Sequence, residues 1–270
     1  MLLQESSLLT LEELNRIMAC PATHRPLRLV EEADAVEPTG GESYEWVDGN
    51  WNLAPAAHRD SAKWDTWDQL QQNGVVSYEQ DPTRNLCVGR RGDAEAFAKF
   101  CQLQGLVLDV GCGPQAWPAY FVDYAPGTKF VGVDPLIGAS SSRYRQLRAL
   151  AEHLPFVDES FDRVLFSTSL DHFVDPSRSL REARRVCRRD GTVCVWLGEK
   201  HPDAPKPAVS PEWYQNLKRP TDAEDPFHFK RLSAADVESY LDRCGLTIAE
   251  QTIVPAGEFR WNAFYRLRPS

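Results

Sequence analysis

The chain has 270 residues, 42% hydrophobic and 26% charged, which suits one α/β domain with a small appendage and a sizeable buried core. Its 39 acidic and 30 basic residues give a formal net charge of −9, which argues against a nucleic-acid backbone as the main partner. The cysteines (Cys20, Cys87, Cys101, Cys112, Cys187, Cys194 and Cys244) form no CxxC pair, so reduced thiols in a cytoplasmic protein are expected. The N-terminal 1–18 carries Glu5, Glu12 and Glu13 without a basic leader, so no signal peptide is expected, and no apolar stretch reaches membrane-spanning length.

In chain order, Thr10 and Glu13 form an S/T-x-x-E capping box that predicts a short helix through Ile17, ended by the Cys20-Pro21 step. Residues 27–30 alternate as a strand, and the acidic, glycine-containing stretch 31–42 reads as a loop. Residues 44–47 and 51–53 flank Asp48-Gly49, a hairpin signal. The first 55 residues thus read as a small β-rich unit. Residues 56–105 read as a helical cover: Trp64, Trp67 and Leu70 share one helix face, and a second helix occupies 93–104.

From Leu106 the pattern becomes strand–helix alternation. Strands are expected at 106–110, 129–133, 163–167 and 192–197, with helices near 115–124, 141–150 and 177–188. The arginine-rich run 178–189 reads as the solvated face of the last of these helices. A proline-rich segment follows within an insert at 198–229. Then come a helix at 233–244 ended by Gly245, and strands at 246–254 and 258–267. The six strands expected over 106–270 predict a mostly parallel sheet with a final antiparallel strand.

Three segments carry chemistry. LDVGCG at 108–113 is an apolar strand running into a GxG turn, where the backbone comes close to a ligand. Asp109, just before the turn, suits an ammonium group and would repel a pyrophosphate. VGVD at 131–134 ends a strand in Asp134, 21 residues after Gly113, the spacing at which an acid accepts from ribose hydroxyls. Asp171 and His172 follow the strand expected at 163–167, at the end of the sheet where doubly wound folds bind ligands. There His172 is a candidate general base, with Asp171 orienting it or binding substrate.

LDVGCG and VGVD, together with AEHLPFVDESFDRV at 151–164, resemble the class I S-adenosylmethionine (SAM)-dependent methyltransferases of the small-molecule and lipid branch. The likeness is close over 105–197 and weaker over 227–254, where FHFKRL precedes a helix. It implies an α/β Rossmann-like fold, a mostly parallel seven-stranded sheet with a final antiparallel strand, and SAM as cofactor. Asp109, Gly111 and Gly113 would hold the methionine part, Asp134 the ribose, and Ala151 and Glu152 the adenine. Ser167 would lie near the methyl group. Gln115 departs from the family's third glycine, and Leu150 from an acid that often contacts adenine. Trp213, Tyr214 and His228 in the insert are candidate contacts to the acceptor, expected to be a small or glycan-like molecule methylated on oxygen or nitrogen rather than carbon.

The stretches 18–27 and 44–55 resemble the small zinc-ribbon-like activator subunit of some methyltransferases. Here Cys20 and His24 cannot make a four-ligand site, so a degenerate ribbon without metal is expected. Packing on the catalytic domain, self-association and contact with substrate all stay open for it, and neither a membrane nor a nucleic acid is expected as partner. Two other functions stay open. Gly111-x-Gly113-x-x-Ala116 with Tyr214-x-x-x-Lys218 would fit a nicotinamide-dependent oxidoreductase, and the same fold could serve as a non-catalytic SAM-binding protein.

Overall fold

A computed structural model describes residues 8–54, 62–83, 85–86, 91–138, 143–201, 203–205 and 210–270. The N-terminal part holds α1 (Leu11–Asn15), β1 (Arg28–Val30), β2 (Ala33–Val36), β3 (Ser43–Tyr44), β4 (Trp46–Val47) and β5 (Asn50–Trp51). The Thr10–Glu13 capping box is formed in both directions, with Thr10 N–H donating to Glu13 Oε2 at 2.9 Å. Strands β4 and β5 pair around Asp48 (φ 54°) and Gly49 (φ 80°), the left-handed pair that a tight hairpin requires. The stretch expected as a loop contains β2, which pairs with both β1 and β3 and buries Ala35, while its one acid, Asp34, is exposed.

The remaining elements are α2 (Ala62–Gln80), α3 (Gly92–Cys101), β6 (Leu106–Val110), β7 (Lys129–Val133), β8 (Arg145–Leu147), β9 (Phe161–Ser167), α4 (Pro176–Val186), β10 (Cys187–Lys200), α5 (Glu212–Gln215), α6 (Ala234–Cys244), β11 (Leu246–Gly257) and β12 (Arg260–Pro269). Seven strands form one sheet in the order β11-β12-β10-β9-β6-β7-β8. Neighbours from β10 to β8 are parallel, and β12 runs antiparallel to both its neighbours. This is a Rossmann-like doubly wound sheet. From β6 the chain moves outward through β7 to β8, then returns to the other side of β6 for β9, so its switch point lies at the carboxyl ends of β6 and β9.

Alternation along the strands builds two cores. Leu108, Val110, Val164, Phe166, Val193 and Val195 face α4, α6 and the N-terminal elements. Val107, Leu165, Cys194 and Trp196 face α3 on the other side.

Two expected helices are absent. At 115–124 the chain is irregular: Pro118 lacks the N–H that a helix would bond to Pro114, and it disfavours helical geometry at Trp117. Aromatic packing fills the place of a crossover helix, with Phe121 stacked on Phe130 at 4.0 Å and Trp117 edge-on to Phe121. At 141–150, of which 141–142 lie outside the described residues, the chain forms the edge strand β8. Its residues favour helix locally, but pairing to β7 and burial of Gln146 and Leu147 override that preference.

The N-terminal elements cover this edge and share the core of the sheet. Asn50 donates through Nδ2 to the carbonyls of Gln146 (3.0 Å) and Gly138 (3.2 Å), and Leu53 N–H donates to Arg148 O at 2.9 Å. Lys129 pairs with Glu13 at 2.7 Å. The arginine run is occupied within the chain: Arg185 reaches Glu182 and Asp158, Arg188 reaches Asp162, and Arg189 reaches Glu159. Among the described residues no helix is long and apolar enough to cross a membrane.

Candidate functional site

A cleft of about 980 Å³ opens at the carboxyl ends of β6, β7, β9 and β10, with α2 and the segment 210–232 forming its outer walls. The volume is at the upper end for pockets that take a cofactor-sized ligand.

At the β6 end, Gly111 and Gly113 adopt φ of 77° and 69°, conformations that side-chain-bearing residues rarely adopt. A Cβ on Gly111 would lie 2.5 Å from Ser169 Cβ, and Ser169 Oγ is tied to the Val110 carbonyl at 2.6 Å. A Cβ on Gly113 would meet the Tyr78 hydroxyl and the Gln115 amide oxygen. The glycines therefore permit a close backbone approach, and α2 supplies part of the cover. The turn leads into Pro114 and irregular chain instead of a helix N-terminus, which removes the array of free amides a pyrophosphate would need.

Asp109 is fully buried behind the turn. Tyr120 donates to its Oδ2 at 2.7 Å, while Oδ1 has no hydrogen-bond partner among the described residues. Burial pushes its carboxyl up to about 7 against the Tyr120 hydrogen bond, and nearby Asp134 adds to the rise. Asp134 ends β7 and joins the two motifs: Gly113 N–H donates to its Oδ2 at 2.9 Å and Leu136 N–H to its Oδ1 at 2.8 Å. Each oxygen keeps a further acceptor position. Burial raises this carboxyl to about 6, and the two amides oppose the rise.

Ala151 and Leu150 line the next part of the cleft, with Leu150 packed in an apolar cluster with Trp64 and Trp67. Glu152 also lines the cleft, and its Oε1 accepts the amides of Val174 (2.8 Å) and Asp175 (3.1 Å). Ser167, at the end of β9, is buried on the cleft with Oγ unpartnered among the described residues.

The opposite end gathers Asp171, His172, Asp225, His228 and Arg231. Asp171 and His172 lie on a 3-10 turn, Leu170–His172. His228 Nδ1 donates to Asp225 Oδ1 at 2.7 Å, and His172 Nδ1 donates to the Phe227 carbonyl at 3.2 Å. Their Nε2 atoms face each other at 3.1 Å. Asp171 Oδ2 is 3.7 Å from His228 Nε2. Burial, then the adjoining His228 charge, pushes His172 down to about 4, so it is neutral near pH 7. Burial alone would raise Asp225, but the His228 hydrogen bond and charge, with Arg231, hold it well below the usual carboxylate range. Because His172 Nε2 points at His228, direct proton abstraction by His172 would require the two rings to part.

Tyr214 also lines the cleft, whereas Trp213 does not. Trp213 packs edge-on against Tyr214 and borders a separate shallow groove with Val76 and Gln80. Sequence reasoning missed Tyr78, Tyr120, Asp225 and Arg231. The Asp225–His228 pair had a local i,i+3 signal, but the meeting of His172 and His228 across 56 residues had none.

With this geometry in view, residues 108–195 match a family model described as a methyltransferase domain, a span that holds the glycine turn, Asp134 and the Asp171-His172 turn. An uncharacterized methyltransferase of Schizosaccharomyces pombe is 30% identical over 171 residues, covering 55% of this chain and 58% of the relative. The uncharacterized methyltransferase YcgJ of Bacillus subtilis is 30% identical over 147 residues, covering 50% and 54%. The chain thus spans little more than half the length of these curated relatives. The Burkholderia thailandensis 1,6-didemethyltoxoflavin-N1-methyltransferase, solved with its acceptor and S-adenosylhomocysteine, superposes with a TM-score of 0.56 at 15% identity, covering 90% of this chain and 99% of that one, a likeness of fold.

Proposed function

We propose that the protein is a SAM-dependent methyltransferase whose acceptor is a small molecule bound at the Asp171–His228 end of the cleft. The observation that carries this reading is the Asp134 carboxylate bonded to Gly113 N–H, which joins the two motifs in one cleft, with Asp109 Oδ1, unpartnered among the described residues, behind the turn. A buried acceptor without a donor suits the ammonium of an amino-acid tail, reached directly or through a bound water. The methyltransferase-domain match over the same residues supports it.

In this reading Gly111 and Gly113 admit the methionine part and Asp109 neutralises its ammonium. Asp134 receives the ribose hydroxyls on its remaining lone pairs. Ala151 and Glu152 flank the adenine, with Leu150 adding apolar contact beside them, and the amides accepted by Glu152 Oε1 stiffen that wall. Ser167 lies near the reacting methyl group. SAM supplies an electrophilic methyl on a sulfonium, transferred by in-line displacement. Much of the acceleration then comes from holding the acceptor in line, which is the task of Tyr214 and His228, while Asp171 and His172 activate it. The acceptor is taken as a small or glycan-like molecule methylated on oxygen or nitrogen. The Burkholderia enzyme, with its small-molecule acceptor in the same fold, supports the small-molecule class. Trp213 enters only as support for Tyr214.

The likeness of 18–27 and 44–55 to an activator subunit belongs to the same proposal, with the unit expected at 1–55 acting as a built-in brace on the β8 edge. Its backbone and Asn50 bonds to 146–148 support that role. An oxidoreductase is disfavoured by the missing helix after Gly113. A non-catalytic role is disfavoured by the paired histidines at the acceptor end. Calorimetry with SAM, S-adenosylhomocysteine and NADH tests the reading: saturable binding of the first two is expected, and NADH binding without SAM binding would overturn it.

A further inference from the structure

No metal was expected from the sequence, yet the acceptor end of the cleft has the arrangement of a cation site. The Phe227 carbonyl and the Asp225 carboxylate can only accept hydrogen bonds, so both histidines carry hydrogen on Nδ1. In a neutral imidazole this leaves a lone pair on Nε2. The two Nε2 atoms share a hydrogen bond at 3.1 Å, with Asp171 Oδ2 3.7 Å from one of them, so a metal ion displacing the proton between the rings would meet both Nε2 lone pairs. All three ligand atoms lie within 4.8 Å of one another.

We propose that Asp171, His172 and His228 bind a first-row divalent transition metal through Oδ2, Nε2 and Nε2, leaving one coordination position open to the cleft. The distances suit it. At a metal–nitrogen distance of about 2.0–2.1 Å, a 3.1 Å separation subtends about 98° and a 3.7 Å separation about 125°, so these two pairs can share one ion, and the third, His172 with Asp171, lies within 4.8 Å and closes on it. Two imidazoles and one carboxylate select zinc-like ions over magnesium or calcium. The surroundings suit it too. Metal-bound histidines usually donate their second nitrogen to a carboxylate or carbonyl, as His228 does to Asp225 and His172 to Phe227. Arg231 reinforces this by holding the other Asp225 oxygen at 3.0 Å, and its NH1 lies 3.9 Å from Asp171.

Formal charge gives the open position a preference. Asp171 and Asp225 against Arg231 leave one negative charge, and a divalent ion turns that to one positive. An anionic oxygen in the fourth position neutralises it. The preferred acceptor group is therefore a phenolic or enolic hydroxyl, whose proton passes to solvent as the metal lowers its pKa. This consequence rests on the methyltransferase reading, whereas the site itself does not.

Chelator-treated protein titrated with Co²⁺ in the absence of SAM tests the site. The expected result is a visible ligand-field band saturating at one equivalent and displaced by Zn²⁺. It should be lost in His172→Gln and His228→Gln, and Asp225→Asn should weaken binding about 10- to 100-fold. Anomalous scattering from Co²⁺-soaked wild-type crystals gives a second readout independent of the variants, with a peak expected within bonding distance of both Nε2 atoms. No saturable band, a band unchanged in a folded His228→Gln protein, or a peak elsewhere would overturn the proposal. So would a proton shared between the rings in metal-treated protein. Co²⁺ binding without SAM binding would overturn the methyltransferase reading and leave the metal site standing. SAM binding without Co²⁺ binding would do the reverse.

Discussion

Asp134→Asn isolates the contact on which the cofactor assignment turns. The carboxylate accepts Gly113 N–H at 2.9 Å and Leu136 N–H at 2.8 Å on different oxygens. An amide has one acceptor oxygen, so one backbone amide is left facing an NH₂ group. That loss costs about 1–3 kcal/mol, offset in part because a neutral side chain is cheaper to bury. A fall in Tm of a few degrees is expected, at about 2–4 °C per kcal/mol for a chain near this size. Binding suffers separately. A ribose hydroxyl bond to a carboxylate contributes about 1.5–3 kcal/mol, so losing one weakens binding by about 13- to 160-fold. Calorimetry with S-adenosylhomocysteine at pH 8, where the wild-type carboxyl raised to about 6 is ionised, reads this directly. Affinity within twofold of wild type in a folded variant would refute the assignment of Asp134 to the ribose.

Gly111→Ala places a methyl 2.5 Å from Ser169 Cβ at a φ of +77°, and Ser169 is pinned to Val110. Strain and overpacking of about 2–4 kcal/mol should lower Tm by roughly 5–15 °C, checked by thermal denaturation. Asp109 makes cofactor binding pH-dependent. Its folded-state pKa, raised to about 7, means that the stability it confers is full below its unfolded pKa near 3.8 and is lost as pH rises through about 7. An ammonium partner favours the ionised form. Affinity for SAM should therefore fall by up to about tenfold per unit as pH drops below 7, and flatten above it. Calorimetry across pH 5.5–8.5 checks the slope. Asn50→Ala removes two donated bonds to 138 and 146 and the acceptor for Trp51 N–H. A loss of about 2–3 kcal/mol in denaturant unfolding is expected if the N-terminal unit braces the sheet. His172→Ala should lower methyl transfer to any identified acceptor at least tenfold while SAM affinity survives.

The sheet was legible wherever burial on both faces wrote a continuous apolar run, as in β6 and β7, whose bounds match the expectation residue for residue. It was illegible at β8, where Arg145 and Gln146 carry helix-favouring side chains and only pairing to β7 makes them a strand. Pro114 and Pro118 were visible in the sequence, yet the usual strand–helix rhythm outweighed them; the aromatic plug of Trp117, Phe121 and Phe130 that replaces the helix has no periodic signature. In the site, residues on strand ends could be named because their places follow from local pattern. Tyr78 and Asp225 come from the walls, and their positions depend on how α2 and the insert fold back. Asn73 ties those two walls together, donating to the carbonyls of Lys218 (2.7 Å) and Pro226 (2.6 Å), a link that spacing alone does not reveal.

A crystal structure of the protein with S-adenosylhomocysteine tests the central claim most directly. The account predicts the ribose hydroxyls on Asp134, the amino-acid tail over the Gly111–Gly113 turn, and the sulfur directed toward Ser167 and the Asp171–His228 end of the cleft. A nucleoside bound elsewhere, or a cleft that stays closed to it at saturating concentration, would contradict it.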